Sequence, residues 1–181
     1  MRVIFPRWVL FTLGALPLLA ACNDPVPEKP QTLGGAEPTQ NQSLLAEPAT
    51  GNLLQVFKSP TCGCCEGWIE HADQAGFSTQ AQHPADMAAL KTEHGIAPQY
   101  RSCHTAVSAD GYVFEGHVPA RYIEAFLAAP PAGALGLAVP GMPVGSPGME
   151  MGKDFMPYQV LLLKQGGAAE VYAQVESPAD Q

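Results

Sequence analysis

The sequence predicts an α/β domain, a mixed sheet flanked by helices, with a long Gly/Pro/Met-rich loop and C-terminal strands. Three observations carry this. Short apolar or alternating runs exchange with segments of helical spacing between residues 53 and 127. Glycine or proline stands at most boundaries between them. After residue 134 the chain turns to glycine, proline and methionine, then returns to two strand-like runs.

The elements follow in order. Leu53–Lys58 reads as a buried strand, continuously apolar up to its closing lysine except at Gln55. Gly63–Ala75 reads as a helix whose core-facing stripe is Trp68, Ile69 and Ala72, stopped at Gly76. Phe77–Gln82 is a second strand, and Pro84 opens a helix over Ala85–His94 that Gly95 caps. Ser102–Ser108 and Tyr112–Val118 alternate as strands around Asp110-Gly111, a hairpin turn signal. Pro119 at the first helical position opens a helix through Ile123, Phe126 and Leu127 that ends at Pro130-Pro131. Residues 135–155 read as one long loop, and Tyr158–Leu163 and Glu170–Val175 as two strands joined through Gln165-Gly166-Gly167. The order strand, helix, strand, helix, strand, strand, helix resembles the thioredoxin-like arrangement. Residues 53–175 suffice for one domain with one core, leaving 176–181 as a tail.

The N-terminus reads differently. Arg2 and Arg7 precede the apolar run Trp8–Leu19, which is shorter than the roughly 20 residues a membrane-spanning helix needs. A basic start, a short apolar core and small residues mark a secretory leader over 1–21. Leu19-Ala20-Ala21-Cys22 resembles the lipobox of bacterial lipoproteins, which makes Cys22 the lipidation site and residues 22–52, rich in Pro, Gln and Asn, a flexible tether. The expected location is the cell envelope, anchored through lipid and facing the periplasm, with Asn23 pointing to the outer membrane. Loss of the leader leaves 7 basic residues against 17 acidic ones, a net of −10. That balance argues against a nucleic-acid partner, because phosphate binding needs clustered lysine and arginine.

Four cysteines remain after Cys22: Cys62, Cys64, Cys65 and Cys103. Three lie within four residues where the first strand meets the first helix. A helix N-terminus favours thiolate over thiol, and thiolates this close repel unless protonated, oxidised or bridged by a soft cation. A Cys62–Cys65 disulfide is feasible, but two separate bridges fit the spacing poorly. Zinc prefers tetrahedral sites built from spaced cysteine pairs, whereas copper(I) accepts few thiolates and lets one sulfur bridge several ions. Copper(I) is therefore the expected ligand. Cys103 opens a predicted strand where its sulfur can join the other three, and His104 and His117 are each open to three readings: ligand, partner of a ligand, or satisfied polar residue. Met142 and Met149 offer thioethers from the loop, with Met151 and Met156 behind them. His71, His83 and His94 read as solvated residues.

Four blocks carry a family resemblance: Lys58-Ser59-Pro60-Thr61-Cys62-Gly63-Cys64-Cys65 with Trp68; Ser102-Cys103-His104-Thr105; Glu115-Gly116-His117-Val118-Pro119-Ala120; and residues 136–150, from Gly136-Leu137-Ala138 to Gly148-Met149-Glu150. Together, over about 53–163, they resemble the CopG-like copper-resistance family of exported metal-binding proteins, long labelled a domain of unknown function. The resemblance implies a thioredoxin-like domain in which Cys62, Cys64, Cys65 and Cys103 ligate copper, in a sulfur-bridged cluster of several ions per chain. It also implies a role in copper resistance, with cycling between Cu(I) and Cu(II) and a periplasmic copper-handling or redox partner. The rival reading is a thiol–disulfide oxidoreductase working through Cys62 and Cys65, with Cys62 or Cys64 as nucleophile. A zinc or iron–sulfur scaffold without turnover is the third.

Overall fold

The computed structural model describes residues 52–181, all within one compact unit. The expected leader, Cys22 and the tether up to residue 51 lie outside the described residues.

Seven strands form one sheet in the order β2-β1-β3-β4-β5-β6-β7. β1 (Leu53–Phe57) and β2 (Ser78–Gln82) pair in parallel across α1 (Gly63–Gln74), as a strand–helix–strand unit requires. β3 (Thr105–Ser108) pairs antiparallel with β1 and, through a tight turn with Gly111 at φ 85°, with β4 (Val113–Glu115). This is the expected mixed sheet, consistent with a thioredoxin-like arrangement. Leu54 and Val56 point into the core from β1 while Gln55 faces out, the two-residue period of a strand with one protected face.

α1 buries Cys65, Trp68 and Ala72, at spacings of three and four residues. Trp68 is fully enclosed, and its indole N–H donates to the Val118 carbonyl at 2.8 Å. α3 (Ala120–Ala128) buries Ile123 and Phe126, and Phe126 meets Phe114 and Tyr112 edge to face. Its start differs by one residue from expectation, Pro119 being the residue before the first turn.

Further differences follow at the second helix, at β3 and β4, and in the loop. α2 runs over Met87–Glu93 and begins two residues late, because the Asp86 carboxylate accepts from the backbone N–H groups of Ala88 and Ala89. The expected strand from Ser102 begins only at Thr105, and the one from Tyr112 spans only Val113–Glu115. Residues 135–138, expected in the loop, belong instead to β5 (Ala134–Ala138), parallel to β4. Gly136 explains that disguise: a Cβ there would run into the Val113 carbonyl, so the close approach of β4 and β5 demands the residue that weakens the strand signal. β6 (Tyr158–Lys164) and β7 (Ala169–Val175) complete the sheet antiparallel.

Candidate metal centre

Cys62 is the N-cap residue of α1, in extended conformation, which puts Cys62, Cys64 and Cys65 on the helix's first turn. Ser102–His104 lead into β3, the strand beside β1. Adjacent strands thus deliver Cys103 to the same end of the sheet. The sulfurs of Cys62, Cys64, Cys65 and Cys103 all lie within 4.8 Å of one another. Cys62 and Cys65 are joined as a disulfide, and Cys64 and Cys103 are free thiols. The Cys62 and Cys64 sulfurs are 3.5 Å apart. Two of the four sulfurs are thus spent on each other; two electrons and two protons restore a set of four thiols.

A second group shares Cys103. The Cys103 sulfur lies 3.0 Å from His117 Nε2 and 3.4 Å from His104 Nδ1. His117 Nδ1 is 2.8 Å from the Pro147 carbonyl, which can only accept, so Nδ1 carries the proton. In the neutral ring the Nε2 lone pair then faces the Cys103 sulfur, the orientation a ligand imidazole needs. Burial holds His117 below the ordinary histidine value, against the opposing pull of the Pro147 carbonyl and Glu150. Burial, then the charges of His117, Lys91 and Lys58, push His104 well below it. His104 Nε2 is buried with no hydrogen-bond partner among the described residues, and its ring packs on Trp68 at 4.6 Å between centroids. Burial first, and the neighbouring Cys64 second, push the Cys103 thiol up to about 11. Without metal, Cys103 is a protonated thiol.

The Gly/Pro/Met loop packs directly over this turn. Gly148, at φ 82°, touches α1 so closely that a Cβ would strike the Cys64 carbonyl and the Trp68 N–H. A Cβ on Gly67 would meet Gly148 Cα at 2.9 Å. Met149 follows this contact and is half-buried; Met142 follows Gly141, whose carbonyl accepts from Ser102 Oγ, and is exposed, as are Met151 and Met156.

A family model described only as a protein of unknown function, DUF411, matches residues 100–149. Two solved structures, both forms of a copper resistance protein CopG, are similar at 44% and 45% identity, each with a TM-score of 0.64. Each match covers 68% of this chain, and 97% and 96% of those chains. The chain belongs to the CopG copper-resistance family. No curated protein matches it significantly.

Within this CopG-like domain, several residues have roles that the sequence hides. His71, expected to be solvated, is half-buried, and its Nε2 accepts from the Ala120 N–H at 3.0 Å, capping α3. His94 is half-buried beside the Phe57 ring; His83 is exposed, with Nδ1 3.1 Å from the Lys58 carbonyl. Lys58 is fully buried, pairing with Glu66 at 2.7 Å beside the cysteine turn. An acid three residues into a helix is an ordinary N-terminal preference, and nothing in the spacing announces a buried lysine partner.

The donor set fits a soft cation. Once the disulfide is reduced, four sulfurs, with an imidazole nitrogen beside one of them, make the kind of donor set that soft metal ions such as copper select.

Proposed function

We propose that this chain binds copper(I) through Cys62, Cys64, Cys65 and Cys103 in a sulfur-bridged site of several ions, in service of copper resistance. One observation carries the reading: four sulfurs from two separate parts of the chain converge within 4.8 Å. The CopG neighbours support copper as the metal. His117 adds a neutral nitrogen donor through Nε2, and Met142 and Met149, which follow the loop glycines that contact Ser102 and the cysteine turn, are the candidate thioether donors. Reduction of the Cys62–Cys65 disulfide precedes full loading, and each thiol surrenders its proton as copper binds. A site whose sulfurs exist as thiols and as a disulfide also suits exchange between Cu(I) and Cu(II), with a periplasmic partner as the other electron carrier. The leader and Cys22 support an envelope lipoprotein facing the periplasm.

The experiment is an anaerobic Cu(I) titration of the reduced chain. It is expected to give more than one ion per chain with thiolate-to-copper charge-transfer absorption, and Cys103→Ser is expected to reduce both. A single weak site indifferent to Cys103→Ser overturns the reading.

The Cys62–Cys65 disulfide at a helix N-terminus favours one alternative, thiol–disulfide exchange. Turnover of a disulfide substrate by metal-free chain, and a mixed disulfide trapped in Cys65→Ser, are its signature.

A further inference from the structure

Beside the sulfurs lies a buried ion pair that the copper reading does not use. Glu115, at the end of β4, is fully enclosed and both its oxygens are engaged. Oε1 accepts from Lys91 Nζ at 2.5 Å and from the Ser102 backbone N–H at 2.5 Å. Oε2 accepts from Thr105 Oγ1 at 2.6 Å, and Lys91 Nζ reaches the same hydroxyl at 3.0 Å. The two anchored residues, Ser102 and Thr105, bracket Cys103-His104. The Gly116 N–H then donates to the His104 carbonyl at 2.9 Å, and His117 sits two residues beyond Glu115. One carboxylate thus fixes both ends of the segment carrying the fourth sulfur.

Buried ion pairs seldom stabilise a fold more than apolar residues of equal volume, so stability alone does not account for this one. What the pair supplies is geometry. The sulfur it holds comes from a strand-leading segment, not from the helix turn that carries the other three, and nothing in the cysteine spacing sets its distance.

We propose that Glu115, itself held by Lys91, is a positioning residue for the metal centre, keeping the Cys103 sulfur within bridging reach of Cys62, Cys64 and Cys65. It touches no copper. The functional consequence rests on the copper reading above, but the positioning can be measured without metal.

The test uses the full chain with Lys91→Met/Glu115→Gln, a pair that removes both charges and so leaves no lone buried cation; Glu115→Gln alone is the companion variant. The first readout is metal-free. In a Cys62→Ser/Cys65→Ser background, dithiodipyridine oxidises Cys64 and Cys103 to a disulfide while being reduced to two thiopyridones. Misplacing one sulfur is expected to slow this closure about tenfold or more. The second readout is Cu(I) affinity by competition with a chromophoric chelator. It is expected to fall about 10–100-fold, as for other residues that orient ligands. The same charge-removing pair is expected to cost little more in a chain already carrying Cys103→Ser, because both changes then act through one sulfur. An unchanged closure rate with a lowered melting temperature makes the pair purely structural and overturns the proposal, and so does full additivity with Cys103→Ser. If the unsubstituted chain itself takes up no Cu(I), while closure is slowed in the variant, the positioning stands and the copper reading falls instead.

Discussion

Trp68 ties the cysteine turn to the rest of the domain. Its ring is fully enclosed, packs at a tilt against His104 and is fixed to Val118 by its indole N–H. Trp68→Ala is expected to cost about 3–5 kcal/mol, read as a shift in the urea midpoint. The histidines beneath it set a pH dependence. His71, His104 and His117 all have folded values below the ordinary 6.5. The unfolded chain therefore takes up protons as pH falls through 6.5 while the folded chain does not. Stability of the metal-free domain is expected to be flat above that pH and to decline below it, with the slope reduced in His71→Gln. An urea midpoint independent of pH from 7 to 5 contradicts this. The cysteines themselves were legible in the sequence because thiols in adjacent positions are chemically conspicuous. Glu115 and Lys91 were not, since a buried charged pair is defined by partners distant along the chain.

At the scale of elements, legibility followed how local the signal is. α1 and the strands β1, β6 and β7 announce themselves through periodicity and flanking glycines, and their bounds fall within about one residue of expectation, as termini usually do. β5 was hidden because Ala134-Leu135-Gly136-Leu137-Ala138 lacks β-branched residues and becomes a strand only by lying between β4 and β6. The loop between β5 and β6, expected as functional, is held over the cysteine turn by the Gly67–Gly148 contact and by the Pro147 carbonyl on His117. Gly148→Ala meets both a backbone clash and a left-handed φ that alone costs roughly 1–2 kcal/mol. It is expected to lower the melting temperature and to expose residues 142–156 to protease. If protease sensitivity is unchanged, the glycine contact does not hold the loop.

For the whole molecule, the sheet places the metal candidate at one end of β1, β3 and α1, and the lipid attachment expected at Cys22 lies outside the described residues. The resemblance to CopG spans the folded domain and supplies no information about that anchor. Cys22→Ser is expected to move the protein from the membrane pellet to the soluble fraction with copper binding intact, since among the described residues the cluster is formed by Cys62, Cys64, Cys65 and Cys103. Retention in the pellet contradicts the lipid anchor. The domain's fold was legible through the order of its strands and helices together with its resemblance to the thioredoxin-like arrangement, whereas the order of strands in the sheet is not written in periodicity. The disulfide state was not settled by the sequence: the spacing makes a Cys62–Cys65 bridge feasible, while metal-binding thiolates are the expectation, and the structure has the bridge.

X-ray absorption at the copper edge, on reduced chain loaded to saturation with Cu(I), tests the central claim most directly. A sulfur shell together with a short copper–copper vector, both diminished in Cys103→Ser, is the predicted result. A lone copper in a nitrogen and oxygen shell, unaltered by loss of that cysteine, contradicts it.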